Sequence, residues 1–181
     1  MTRPAGDRLL AFTIFSSAAF AGGNLFIGLS MGAYWLSLSP AEFMANFFGQ
    51  WMFFLLTIMP LVLMTLWGLV RSANRDADDP ALSALWRRAI VCFVATLLVT
   101  VVIHVPLNLR LGAAAFRPAD VAATSDLYNV LSVFGAVTPE TADFTRTLWL
   151  LAHIPRILLA IAVPYLAMSA AVPARRPGRV Q

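Results

Sequence analysis

The sequence predicts an all-α fold, a four-helix transmembrane bundle. Three observations predict it. The chain of 181 residues is 60% hydrophobic and only 12% charged, whereas an ordinary soluble domain carries about 25% charged residues. Its apolar residues fall into four blocks, each at least as long as the roughly 20 residues needed to cross a bilayer as a helix. The arginines lie mostly at the ends of those blocks, where membrane topology explains them. Only helices and closed barrels satisfy their backbone groups in lipid, and blocks this long mean helices.

The first span runs from about Leu9 to Leu36. Arg3, Arg8 and the Ala19-Phe20-Ala21 triplet resemble a secretory signal and its cleavage site. The apolar run continues well past that point, so the segment is kept as a span. Gly28 and Gly32 have the small-xxx-small spacing of a closely packed helix face, with Asn24 one turn before them. The second span runs from about Phe47 to Val70, the third from about Ala89 to Asn108 and the fourth from about Thr147 to Ala171. The connection between spans two and three, RSANRDADDPALSALWRR, reads as a solvated linker. In it Asp79-Pro80 is a helix-start signal, and Trp86 with Arg87 and Arg88 is an interface anchor. The long connection from Leu109 to Arg146 contains Leu127, Val130, Leu131 and Phe134 at helical spacing, expected as a short interfacial helix or lid. Residues 1–181 form one membrane domain.

Orientation follows from arginine placement. Nine arginines precede span one, lie between spans two and three, or close the chain. Arg110, Arg117 and Arg146 lie on the other side, diluted by five acidic residues. The positive-inside rule then puts both termini in the cytoplasm and the long connection outside. The expected location is a plasma membrane, the inner membrane of a bacterium.

Composition also excludes chemistry. All 13 basic residues are Arg, so a Lys Schiff base is excluded. Cys92 is the single cysteine, so there is no disulfide framework and no CxxC pair. A sequence pI near 10.2 reflects topology and not nucleic-acid binding.

Polar side chains inside a bilayer are costly and therefore informative. The two histidines stand in matching contexts, His104-Val-Pro106 and His153-Ile-Pro155. At 1.5 Å of rise per residue, His104 and Asn108 fall near the outer end of span three. Trp149, His153 and Arg156 follow i, i+4, i+7 on the outer half of span four. Asn24 lies in the outer half of span one, and Glu42, Asn46 and Gln50 form an i, i+4, i+8 series at the outer end of span two. This one-sided distribution predicts a polar pocket that opens outward. Pro106 and Pro155 lack an N–H, which frees the carbonyls of Val102 and Leu151 for partners such as an imidazole.

Arg156 cannot lose its proton in practice. Either it is interhelical glue, satisfied by Glu42, Asn46, Gln50 or free carbonyls, or it is an anion site for a carboxylate, phenolate or enolate. The histidines have three readings. Two imidazoles are an incomplete ligand set for catalytic zinc. They can be axial ligands of a b-type haem. As neutral imidazoles in an apolar pocket they are suited to general acid–base work.

HVPLN closing span three, followed by Trp149-x-x-x-His153-x-x-Arg156 opening span four, resembles the anthrone-oxygenase-like family of small four-helix membrane proteins. The matching residues are His104, Pro106, Asn108, Trp149, His153 and Arg156. The long outer connection and the segment after span one depart from the family pattern. The resemblance implies a cofactor-independent monooxygenase of an electron-rich aromatic or polyketide-like substrate. His104 and His153 would be the base, Arg156 and Asn108 would steady the oxyanion, and Trp149 would stack on a planar substrate, with Asn24 and Gln50 as further substrate contacts. No metal is implied. A haem-binding or quinone-binding redox protein and a non-catalytic membrane component are the competing expectations.

Overall fold

The computed structural model describes residues 4–114 and 139–172. The expected helix around Leu127 to Phe134 lies outside them. Four helices are long and apolar enough to cross a membrane, at Arg8–Leu36, Phe53–Arg75, Pro80–Leu111 and Asp143–Ala171, which fits an integral membrane protein. No strand occurs among the described residues.

The first span is α1 (Pro4–Leu25), a π-helical segment (Phe26–Met31) and α2 (Gly32–Leu36). The second is α3 (Pro40–Arg75). The third is α4 (Pro80–Val99), a second π segment (Thr100–His104) and α5 (Val105–Ala114). The fourth is α6 (Pro139–Ala171).

The helices outrun the apolar blocks because caps, not hydropathy, start them. Ser39 and Glu42 form a capping box, with Pro40 in the first turn. The Ser39 N–H donates to Glu42 Oε2 at 2.9 Å, and these contacts hold the exposed Glu42 carboxyl below its ordinary range. Asp79 caps α4 by accepting from the N–H groups of Ala81 and Leu82, as Asp79-Pro80 predicts. Residues 71–75 and 80–88 are therefore helical, and the expected linker shrinks to the turn around residues 76–79. Trp86 is not an exposed anchor either. It is fully buried and donates from Nε1 to Asp76 Oδ2 at 2.8 Å, which turns a lipid-facing expectation into a clamp across the turn.

Packing differs at the two ends of the bundle. Towards the 76–79 turn, Phe20, Leu69, Trp86, Phe93 and Val163 interlock with buried Ala89, Ala160 and Ala167. Small residues let helix backbones approach where lipid offers no hydrophobic drive for association. Thr13 Oγ1 lies 3.0 Å from Ser72 Oγ across spans one and two. Towards the 37–39 turn, Trp35, Phe43, Leu107, Leu111 and Trp149 form an aromatic-rich cluster. Arg146 of α6 donates from Nη1 to Leu38 O at 2.7 Å and from Nη2 to Asp143 at 2.7 Å. A cation on carbonyls just past a helix C-terminus is favourable, so span four secures the end of span one.

The close glycine face is present, and its neighbour is span four. A Cβ on Gly28 would collide with Ile157 Cδ1 and stand 3.3 Å from His153 Cβ; one on Gly32 would stand 2.8 Å from Leu150 Cδ2. Gly22 has open space. Gly28→Ala should therefore destabilise the protein by about 1–3 kcal/mol through overpacking, while Gly22→Ala stays within about 0.5 kcal/mol. Thermal melts of the two variants in one detergent compare them directly.

Asp76 provides a pH readout outside the spans. Its hydrogen bond to Arg75 chiefly, and that from Trp86, hold its carboxyl below the ordinary 3.8. A depressed carboxyl contributes stability that is complete above its unfolded value and lost as pH falls through the folded one. Melting temperature should be flat in this contribution above about pH 5 and fall below about pH 4. Asp76→Asn should lower the plateau and flatten the acid slope.

Candidate functional site

His104, Asn108, Trp149, His153 and Arg156 line one cavity of about 340 Å³. That volume lies within the roughly 300–1,000 Å³ of small-molecule sites. Most of the remaining wall is apolar and comes from spans one to three, including Phe20, Ile27, Phe54, Ile58 and Leu97. The two histidines are 1% exposed, Trp149 3% and Arg156 9%.

The π segments shape this end. Pro106 has no N–H, and its ring crowds the carbonyl four residues back. The helix widens ahead of it, and the N–H of Val105 reaches back five residues to Thr100 O. His104 closes that widened turn, with Nδ1 3.4 Å from Val99 O. In span one, Gly32 N–H likewise reaches Ile27 O, and this π segment sets Gly28 against His153. Such π turns recur at functional sites.

The imidazoles touch. His104 Nε2 lies 2.9 Å from His153 Nδ1, with ring centroids 4.2 Å apart and planes near perpendicular. His153 Nδ1 also lies 2.9 Å from Trp149 O. The carbonyls of Val99 and Trp149 only accept, so each neutral ring carries its proton on Nδ1. The His153 proton is shared between Trp149 O and the Nε2 lone pair of His104. The remaining lone pair, on His153 Nε2, faces Arg156 Nη1 at 3.5 Å. The polar chain is thus directional. Arg156 points at His153, His153 at His104 and His104 at Val99 O. The carbonyls engaged are those of Trp149 and Val99, not the expected Leu151 and Val102. A His ring folded back along its own helix reaches one turn, four residues in α6 and five in the widened π turn.

Trp149 Nε1 donates to Asn108 Oδ1 at 2.7 Å. An indole N–H only donates, so the Asn108 amide presents its oxygen to Trp149. Trp149 also packs on His153, 4.2 Å between centroids, and on Trp35 at 5.2 Å.

Arg156 is the electrostatic anomaly. No carboxylate pairs with it among the described residues, where the ion pairs are Arg75–Asp76 and Arg146–Asp143. Its Nε is buried without a partner. The expected tethers are engaged elsewhere or do not reach it. Glu42 belongs to the Ser39 capping box, and Asn46 donates to Glu42 O. An isolated buried charge costs several kcal/mol.

Asn24 and Gln50 are not among the described residues lining the cavity. Asn24 is fully buried and donates to Phe20 O, with its Oδ1 unpartnered; Gln50 Oε1 is also buried and unpartnered. Sequence reasoning missed the contribution of α3 to the wall, since Phe54 and Ile58 look like any lipid-facing apolar residues. It also missed the π segments, whose one advance signal is Pro106 two residues after His104.

The fit to an ion held between the two rings, as in a haem with two axial imidazoles, is poor as they stand. Two imidazoles on opposite sides of one ion, with bonds of about 2 Å, hold their nitrogens roughly 4 Å apart. Here they are 2.9 Å apart and hydrogen-bonded to each other. No family model, curated protein or solved structure matches the chain.

Imidazole ¹⁵N spectra test the proton placement. At neutral pH both histidines should show a protonated Nδ1 and an unprotonated Nε2. Trp149→Phe should perturb Asn108 while leaving the His153 Nδ1 proton in place, because the backbone carbonyl remains.

Proposed function

We propose that this chain is an integral membrane enzyme, a cofactor-independent oxygenase of an electron-rich, lipid-soluble aromatic of the anthrone or phenol type. The observation that carries it is the buried Arg156, which meets no carboxylate among the described residues, beside a hydrogen-bonded imidazole pair on the wall of an apolar cavity. Arginine placement supports cytoplasmic termini, with the site nearer the outer face.

A substrate with an acidic C–H or O–H enters protonated. Its oxygen takes the Arg156 guanidinium and the Asn108 amide donors, which aim at the charge that develops. Arg156 then turns from His153, and the Nε2 lone pair of His153 becomes the base. His104 holds His153 in the competent tautomer and takes a share of the Nδ1 proton as charge builds. The resulting carbanion transfers an electron to O2, the two radicals combine to a peroxide anion, and this takes the proton back from His153 to give a hydroperoxide. Loss of water leaves a ketone. The substrate carbon thus loses two hydrogens and gains one oxygen atom, and the second oxygen atom of O2 leaves as water. No step requires a metal or a flavin. The 2.9 Å contact between the rings favours proton transfer over an iron held between them.

Purified protein in liposomes, given 1,8-dihydroxyanthrone and O2, should consume both in equal amounts. His153→Gln should slow turnover by about 10²- to 10⁴-fold, the usual contribution of a general base. Arg156→Met should slow it by about 10²- to 10³-fold, the range for loss of an oxyanion donor. Melting curves establish that each variant is folded. Equal rates in wild type and His153→Gln would end the oxygenase proposal, and a Soret band in the purified protein would replace it with haem binding.

A further inference from the structure

The cavity wall is not closed by buried residues. Leu55, Met59 and Val101 also line it, and they are 40%, 48% and 62% exposed on the flank of the bundle. Leu55 and Met59 belong to the second span and Val101 to the third. All three lie inside segments long and apolar enough to be in hydrocarbon. At 1.5 Å per residue, Val101 is about 15 Å from the Leu111 end of its span. The gap between α3 and the second π segment therefore faces acyl chains and not water. One cavity joins this lipid-facing gap to the buried Trp149, His153 and Arg156.

We infer that the gap between Met59 and Val101 is a lateral portal through which a weakly acidic, one-headed amphiphile enters from the bilayer, compact oxygen head first, an inference that rests on the function proposed above. The wall supplies the specificity. Its polar lining is Arg156, His153, His104, Asn108 and Thr100 with the indoles of Trp35 and Trp149, Arg156 is its one charged side chain, and the remainder is apolar. A second charged group on the ligand would find no partner along the apolar length. The route narrows the head as well. A carboxylic acid is ionised in neutral water and partitions poorly into hydrocarbon, whereas a phenol or anthrone stays neutral there and ionises only at the guanidinium. The same path delivers O2, which is more soluble in hydrocarbon than in water. Such a portal is a mouth on the side of the bundle, distinct from the outward-opening one expected from the sequence.

Val101→Trp fills the portal, and Val91→Trp is the control, since Val91 is 65% exposed and does not line the cavity. An uncharged aryl diazirine dissolved in proteoliposomes is photolysed, and insertion is mapped by mass spectrometry. In the wild type it should label the cavity wall at Ile27 and Trp149, although these are 8% and 3% exposed. Val101→Trp should suppress that labelling at least tenfold, and Val91→Trp should leave it unchanged. A membrane-impermeant, sulfonated diazirine should label neither residue. Unlabelled Ile27 and Trp149 in the wild type would overturn the portal, and so would labelling that survives Val101→Trp or labelling by the sulfonated probe. These readouts need no turnover, so failure of the anthrone assay leaves them intact. If turnover is observed, Val101→Trp should lower kcat/KM for 1,8-dihydroxyanthrone about tenfold with a smaller change in kcat.

Discussion

The site depends on one proton, the hydrogen on Nδ1 of His153. The carbonyl of Trp149 has no hydrogen to give, so the proton must lie on the imidazole nitrogen facing it. Once it is there, His104 can meet His153 only through a lone pair, and the second proton must lie on the far side of His104, towards Val99. The only unclaimed basic position then faces Arg156. Backbone geometry in α6 thereby sets the protonation pattern of two side chains on different spans. In hydrocarbon, where a mismatched pair has no water to fall back on, this ordering is stronger than it would be at a surface.

The bundle around this chain is built in two halves with different tasks. Near the 76–79 turn, alanines, serines and threonines bring helices close, and Trp86 and Asp76 clamp the connection. Near the 37–39 turn, the π turn ahead of Pro106 widens span three, the π segment of span one lies close against span four at Gly28, and bulky aromatic rings fill only part of the space. A cavity needs such a division. Helices packed tightly along their full length leave no room, and helices spread along their full length lose the contacts that fold them. Gly28 sits at the boundary, close enough to span four to support His153 from behind.

The spans were legible in the sequence because hydrocarbon imposes length and apolarity directly. The polar stripe on span four was legible as well. Trp149, His153 and Arg156 repeat at helical spacing, and a bilayer tolerates such residues only on an inward face. Helix ends were misread because apolar runs mark the membrane, whereas caps mark the helix. Ser39 with Glu42, and Asp79 with Pro80, extend α3 and α4 well past the apolar blocks. Glu42, Asn46 and Gln50 look like a polar series for a pocket, yet spacing along a helix says nothing about what a neighbouring turn requires of them. The Ser39 turn engages Glu42 first. Trp86 was misplaced because an indole beside two arginines is common at an interface, and the Asp76 acceptor that buries it is made near by the turn, which composition does not reveal.

The burial of Arg156 connects fold to chemistry. A guanidinium that met a carboxylate in this bundle would be a strut, and its partner would be inherited with the fold. Here its hydrogen-bond contact among the described residues is a neutral ring nitrogen at 3.5 Å, a poor match for a full charge. In the function proposed above, an arriving oxygen acid lowers the cost of holding that charge by giving up its proton, so binding and ionisation are driven by the same deficit. On that proposal a substrate that cannot ionise gains little from Arg156, and one that is already ionised cannot readily leave the water, so selection for acidity between those limits rests on a guanidinium that meets no carboxylate among the described residues.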